Sequence, residues 1–284
     1  MTRRSTSKAR RRPAGLLRWL GRIALAALAV FVAVCGWAAV RAAAIDVDSL
    51  ARRDPTSTAI MRQRGREARE AGKPWRPSWQ RVPYERISPH LRRAVLISED
   101  DAFYSHDGLD WNEIKESARK DFAKRRIVRG GSTITQQLAK NLWLGTSRSP
   151  LRKIEEVMLA VRLERSLSKK RIFELYLNVI EWGDGVFGAE AAAQRWFHMP
   201  ASALGARASV RLAAVIINPR RFSPVEPPRR IERRIRIIAR RMLRRGELSQ
   251  ADYREVLELP PEPAAPDDSI APADSSEIGQ PQDR

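Results

Sequence analysis

Twelve consecutive residues, Glu99 to Asp110 (EDDAFYSHDGLD), gather a carboxylate pair, an aromatic, a histidine, a glycine and a further aspartate at the end of an apolar run. That density favours chemistry over packing. LRRAVLI ahead of it reads as a buried helix, so Glu99 stands at a helix end, where partial desolvation tunes a carboxylate as proton acceptor or donor. Glu99 is the first catalytic candidate.

A second segment, GGSTITQQLAKNLWL, runs from Gly130 to Leu144. Thr133, with Gln136 three residues later, has the form of a capping box that starts a helix. Such a terminus offers backbone amides and the positive dipole end to a phosphate, and Lys140 adds a charge further along. The GK(S/T) ending of a P-loop is missing, and GGST alone is a weak pattern. Downstream, Ser149 and Pro150 form an N-cap and first turn, after which Leu151, Ile154, Val157, Met158, Val161 and Leu163 give a mostly buried helix. On it Arg152 and Glu156 sit four residues apart, a pair worth about 0.3–0.5 kcal/mol if exposed. Ser168 caps KKRIFELYLNVIEW, read as one helix, whose Lys169 and Arg171 oppose the dipole at its start. A solvated face tolerates such cations, and an anionic ligand would require them.

The elements that position these residues follow from composition and pattern. With 284 residues and 43% apolar content, the chain suits one catalytic domain with unusual extremities. A net charge of +20, carried mainly by arginine, points to an anionic partner: nucleic acid, a phosphorylated substrate or an acidic membrane surface. Cys35 is the only cysteine, so no intramolecular disulfide forms. Ile23 to Val40 is an uncharged apolar run, preceded by eight basic residues from Arg3 to Arg22 and followed by Arg41. With Trp19, Leu20 and residues 42–45 it reaches the roughly 20 residues of a bilayer span, and the basic flank stays cytoplasmic. A cleaved signal peptide and a buried soluble helix are the alternatives, and the length favours the anchor.

The expected organisation is a basic cytoplasmic tail (1–18), a transmembrane anchor (19–45), a polar stalk (46–73), a catalytic domain (74–259) and an acidic, proline-rich disordered tail (260–284). KPWRPSWQRVPYERISPH reads as an extended strap on the domain. Trp111, Ile114, Ala118 and Phe122 share a helical face, with Lys115, Arg119, Lys120 and Lys124 elsewhere around it. This is either a solvated surface helix or one lying in a membrane interface. RRIERRIRIIARRMLRRG reads as an amphipathic helix with Ile231, Ile235, Ile238 and Met242 inward and Gly246 as its stop.

Five stretches, EDDAFYSHDGLDW, GGSTITQQLAKNL, RKIEEVMLAVRLE, SKKRIFELYLN and RLAAVIINPRRFSP, stand in one order over about residues 75–245. Together they resemble the monofunctional peptidoglycan glycosyltransferases, membrane-anchored enzymes that polymerise lipid II and share their domain with class A penicillin-binding proteins. The resemblance implies a mainly α, lysozyme-like domain with a small membrane-facing lobe, an active-site cleft between them, and one N-terminal transmembrane helix. It implies that Glu99 is the general base for the 4-hydroxyl of the acceptor N-acetylglucosamine. Glu156, closing the RKxxE pattern, is implied as a second essential carboxylate near the donor diphosphate and any divalent ion, Mg2+ or Mn2+, with Glu155 as fallback. Ser132, Thr133, Gln136, Lys140, Arg152, Lys153, Lys169 and Arg171 match positions used around sugar and diphosphate. Asp100 and His106 join them from the first motif, which Phe103, Gly108 and Asp110 complete.

The implied partners are lipid II, the growing glycan strand, the cytoplasmic membrane and other cell-wall synthesis proteins, and not nucleic acid. The implied location is the bacterial inner membrane with the catalytic domain on the periplasmic side, and the product is a β-1,4-linked strand. Chemistry points the same way, since a lipid diphosphate leaves as an anion and needs a base and fixed cations, not the raised-pKa acid of a glycosidase. Plainer roles stand beside these: His106 bridging its loop, Asp110 an N-cap, Phe103 a core anchor, Tyr176 and Asn178 packing and helix-end residues. Ser166 to Lys169 spells SxxK, but KTG is absent, so no β-lactam acyl-enzyme is expected. The rival classes are a membrane-tethered glycan-cleaving enzyme and a non-enzymatic basic module for nucleic acid or anionic lipid.

Overall fold

The computed structural model describes residues 14–124, 131–147 and 149–260. The start of the basic tail, Gly130 and the acidic tail from residue 261 lie outside these, as do the side chains of Ala118, Lys120, Phe122 and Lys124. The fold is mainly helical, as the motifs implied. α1 (Ala14–Ala43) is apolar and long enough from Arg18 to Ala43 to cross a membrane. Leu25, Phe31 and Val32 on it are exposed, and only its end docks on the domain, where Ala38 and Ala42 are buried. There Arg162 donates to the carbonyls of Ala42 and Ile45, tying α1 to α6 (Pro150–Ser166).

The span 46–73 is not a free stalk. Val47 and Leu50, around a 3-10 turn at Asp48–Ala51, are buried in the main core. α2 (Ala59–Glu70), capped by Thr58, buries Ile60 and Met61 against Phe187. Four apolar residues among many charges are too few to show a periodicity, yet enough to fasten the segment. The strap behaves as expected: β1 (Ser78–Trp79) pairs in parallel with β3 (Val186–Phe187), which pairs antiparallel with β2 (Glu181–Gly183). Trp79 Nε1 donates to Asn178 O at 2.6 Å, and the Asn178 side chain brackets the Val82 backbone in both directions at 2.9 Å.

KKRIFELYLNVIEW is therefore not one helix. α7 (Lys169–Val179) ends where Ile180 turns extended, and the β-favouring residues after it enter β2. Gly188, just before α8 (Ala189–Phe197), makes the close return possible at φ +80°, where a Cβ would sit 2.8 Å from Asn178 O. α3 (Pro89–Glu99) packs against α9 (Ala206–Val215) and α10 (Arg229–Arg244). Ile231, Ile235, Ile238 and Met242 of α10 face inward as their spacing predicts, each fully buried side chain contributing roughly 1.5–3 kcal/mol.

Candidate active site

Glu99 closes α3 with its side chain only 11% exposed. Its Oε1 lies 2.7 Å from Arg234 Nη2 on α10, and its Oε2 accepts from Gln137 Nε2 at 3.1 Å. Burial pushes its pKa above the ordinary carboxylate value, and Arg234, Gln137 and Lys140 only partly offset that. Tyr176, whose pKa burial raises well above the phenol value, donates to Gln137 Oε1 at 3.1 Å and so orients the amide. Neither Arg234 nor Gln137 was singled out by motif, though both carry a signal. Gln137 follows Gln136 in a helix, so the two point to different sides, and Arg234 lies within one turn of inward Ile231 and Ile238.

Asp100, next to the candidate base, faces the other way. Its Oδ2 accepts from the amide of Ile134 at 2.9 Å, and His106 Nε2 lies 3.0 Å from its Oδ1. Gly108 donates to His106 Nδ1 at 3.2 Å, so Nε2 carries the imidazole proton and donates it to Asp100. Both ring nitrogens are thus used, which makes His106 a bridge in its loop. The capping box at α5 (Ile134–Ala139) forms as predicted, Thr133 and Gln136 exchanging bonds at 3.2 Å. Its free terminus does not: Asp100 is the anion seated there, and Thr133 Oγ1 also donates to Gly108 O at 2.7 Å. Gly108 holds φ +88°, and a Cβ on it would come 3.0 Å from Glu164 Cγ, so only glycine lets this loop lie on α6. Phe103 is a core anchor, and Asp110 caps α4 (Trp111–Lys124), accepting from Asn112 and Glu113 at 2.9 Å. Trp111 and Lys115 at the start of α4 are exposed.

Glu156 is no surface ion pair. It is buried, with Oε2 2.5 Å from Arg152 Nη1 and Oε1 2.5 Å from Lys153 Nζ. Lys153 also reaches Ser132 Oγ at 3.0 Å. After α5 the helix widens into a π turn, Lys140–Leu144, where Asn141 Nδ2 donates to the Gln137 carbonyl at 2.8 Å. Lys140 sits at that bulge, with its pKa lowered by burial while Glu156 and Glu99 both pull it up. Its side chain makes no hydrogen bond or ion pair with the described residues, and its ammonium feels both carboxylates.

Other expected site residues lie elsewhere. Lys169 Nζ bonds His106 O at 2.5 Å and Glu164 at 2.8 Å, and lies 4.4 Å above the Phe103 ring. Arg171, paired with Glu174 on its own helix, ties α7 to Asp54 and the Leu50 carbonyl, holding down the segment before α2. Cations at the start of α7 are thus balanced by internal carboxylates. Glu155 points from α6 to Arg41 of α1, its Oε1 3.2 Å from Nη1. A divalent ion at Glu156 does not fit these residues, because each carboxylate oxygen already holds a cation, and no cluster of three metal-ligating side chains occurs among the described residues. Ser166, of the SxxK pattern, donates to Asp48 at 2.5 Å.

A transglycosylase family model matches residues 67–243, more than half of the chain and all of the site. The chain belongs to the transglycosylase family. Among similar proteins, one from Azoarcus sp. (strain BH72), named biosynthetic peptidoglycan transglycosylase, is 47% identical over 217 residues, 75% of this chain and 90% of the relative. Proteins of the same name from Laribacter hongkongensis and Aromatoleum aromaticum are 48% and 45% identical, over 66% and 75% of this chain and 83% and 90% of theirs. The transglycosylase match starts at residue 67, inside α2, so it takes in part of the span expected to be a stalk.

Proposed function

We propose that this transglycosylase polymerises lipid II into β-1,4-linked glycan strands by one inverting displacement in which Glu99 is the base. The chain is a peptidoglycan glycosyltransferase of cell-wall synthesis, and what remains to assign is the work of each residue. The observation that carries the assignment is a desolvated Glu99 held by Arg234 and Gln137, with the charge of Lys140 acting on both it and Glu156. Glu99 takes the proton of the acceptor's 4-hydroxyl, whose oxygen forms the new bond to the donor's anomeric carbon. The bond from that carbon to the diphosphate breaks, and the electron pair leaves with the polyprenyl diphosphate.

Lys140, Arg152 and Lys153 receive the departing charge, the last two held in place by Glu156. Arg234 and Gln137 fix the carboxylate of Glu99, and Asp100 with His106 fixes the loop behind it. α1 anchors the domain at the cytoplasmic membrane with the basic N-terminus inside, which puts the cleft on the periplasmic side, beside the lipid substrate and the growing strand. Incubating purified protein with labelled lipid II tests the assignment: wild type yields polymer, and folded Glu99→Gln yields none. Equal polymer from both would overturn it.

A further inference from the structure

Where α1 meets the domain, two clefts of about 190 and 260 Å³ share Arg41, Trp143, Leu144 and Glu155. The smaller is apolar, lined also by Ala42, Ala44 and Ile45, and the larger is polar, reaching Arg152 and Ser149. Glu155 borders both. It is 5% exposed, and its Oε1, although 3.2 Å from the Arg41 guanidinium, has no hydrogen-bond donor among the described residues. A buried carboxylate oxygen is stabilised by a hydrogen-bond donor, so a ligand that brings one is favoured here. The cleft opens at the end of the apolar helix, the level at which lipid headgroups meet protein.

We propose that this junction binds one zwitterionic phospholipid of the phosphoethanolamine class. Its phosphate lies on Arg41, its ammonium completes Glu155, and the start of one acyl chain fills the slot along Ala42, Ala44 and Ile45. A purely anionic headgroup would meet the Glu155 carboxylate with nothing to offer it, which sets the preference.

Native mass spectrometry of the full chain in detergent, with phosphatidylethanolamine, phosphatidylglycerol, a long-chain polyprenyl phosphate or inorganic phosphate added separately, reads the site without turnover. One phosphatidylethanolamine should be retained at least tenfold more tightly than phosphatidylglycerol or the polyprenyl phosphate, and inorganic phosphate should not be retained. Arg41→Ala, and Ala44→Trp in the apolar slot, should each weaken retention at least fivefold, and Glu155→Gln should erase the preference over phosphatidylglycerol. Equal retention of the three lipids by wild type, tighter retention of the polyprenyl phosphate, or unchanged retention by folded Arg41→Ala and Ala44→Trp would each overturn the proposal. None of these outcomes bears on the role of Glu99, which polymer formation tests separately.

Discussion

Glu99 and Glu156 are both buried acids, and their surroundings are opposite. Glu99 has one guanidinium, one amide and a long bond from the Ser98 hydroxyl, too little to compensate its desolvation, so it is built to gain a proton. Glu156 has a cation on each oxygen, so it holds charges in place for something else. A glycosidase needs two carboxylates that exchange protons with substrate. One proton-seeking carboxylate beside a clamp of cations matches a displacement whose leaving group is a diphosphate.

The strongest test of the contrast is Glu99→Gln. Loss of a general base costs about 10²- to 10⁴-fold in polymerisation rate. Stability should move the other way. The folded pKa of Glu99 is raised above its unfolded value, so between the two values the native state holds the extra proton. Stability therefore falls as pH rises through that window, and the full penalty is present above it. Glu99→Gln lacks the penalty and should unfold at a higher temperature than wild type at a pH above that window. A lower unfolding temperature would mean that the ion pair with Arg234 outweighs desolvation.

Glu156→Gln should do the reverse for stability. It strips Arg152 and Lys153 of their carboxylate, and because Lys153 is 44% exposed the loss is moderated to about 1–3 kcal/mol, read from the denaturant midpoint. Turnover should also fall, with the diphosphate no longer met by fixed cations. If Glu99→Gln and Glu156→Gln shift stability in the same direction, the two sites are not the opposites described here.

Arg234→Ala sharpens the Glu99 side alone. Arg234 is the main group lowering the pKa of Glu99, so its removal should move the acid limb of the rate profile to higher pH while the plateau at high pH changes less. A profile merely scaled down, with its limb unmoved, would show that Arg234 acts by packing instead.

Caps and stripes were legible in the sequence because they depend on neighbours along the chain. Thr133 with Gln136, Ser149, Ser168, Asp110 and the isoleucines of α10 all sit where local spacing put them. Glu99 was legible at a helix end, but the partners of charges were not. Nothing local shows that Lys169 is matched by Glu164, that Arg171 reaches Asp54, or that Arg234 crosses to Glu99 from 135 residues away. Burial of Glu156 was missed for the same reason: an i,i+4 ion pair looks alike on a solvated face and in a wall. The π turn at Lys140 escaped because its sequence, KNLWL, carries no breaker to mark a change in helix winding.

Adjacent lysines on α7 give the finest test of how an internal partner differs from a solvated one. Lys169 is 21% exposed and joins buried Glu164 to the carbonyl of His106, so Lys169→Ala leaves a buried carboxylate with Thr135 as its remaining partner. Its unfolding midpoint should drop, and polymerisation should fall with it because the loop behind Glu99 loosens. Lys170 pairs with Glu85 across open solvent, both side chains more than half exposed, so screening by water and salt leaves little to lose. Lys170→Ala should change neither midpoint nor rate. If instead Lys169→Ala kept its stability and raised only KM, Lys169 would be a substrate contact after all, and the internal ion pair would be secondary to it.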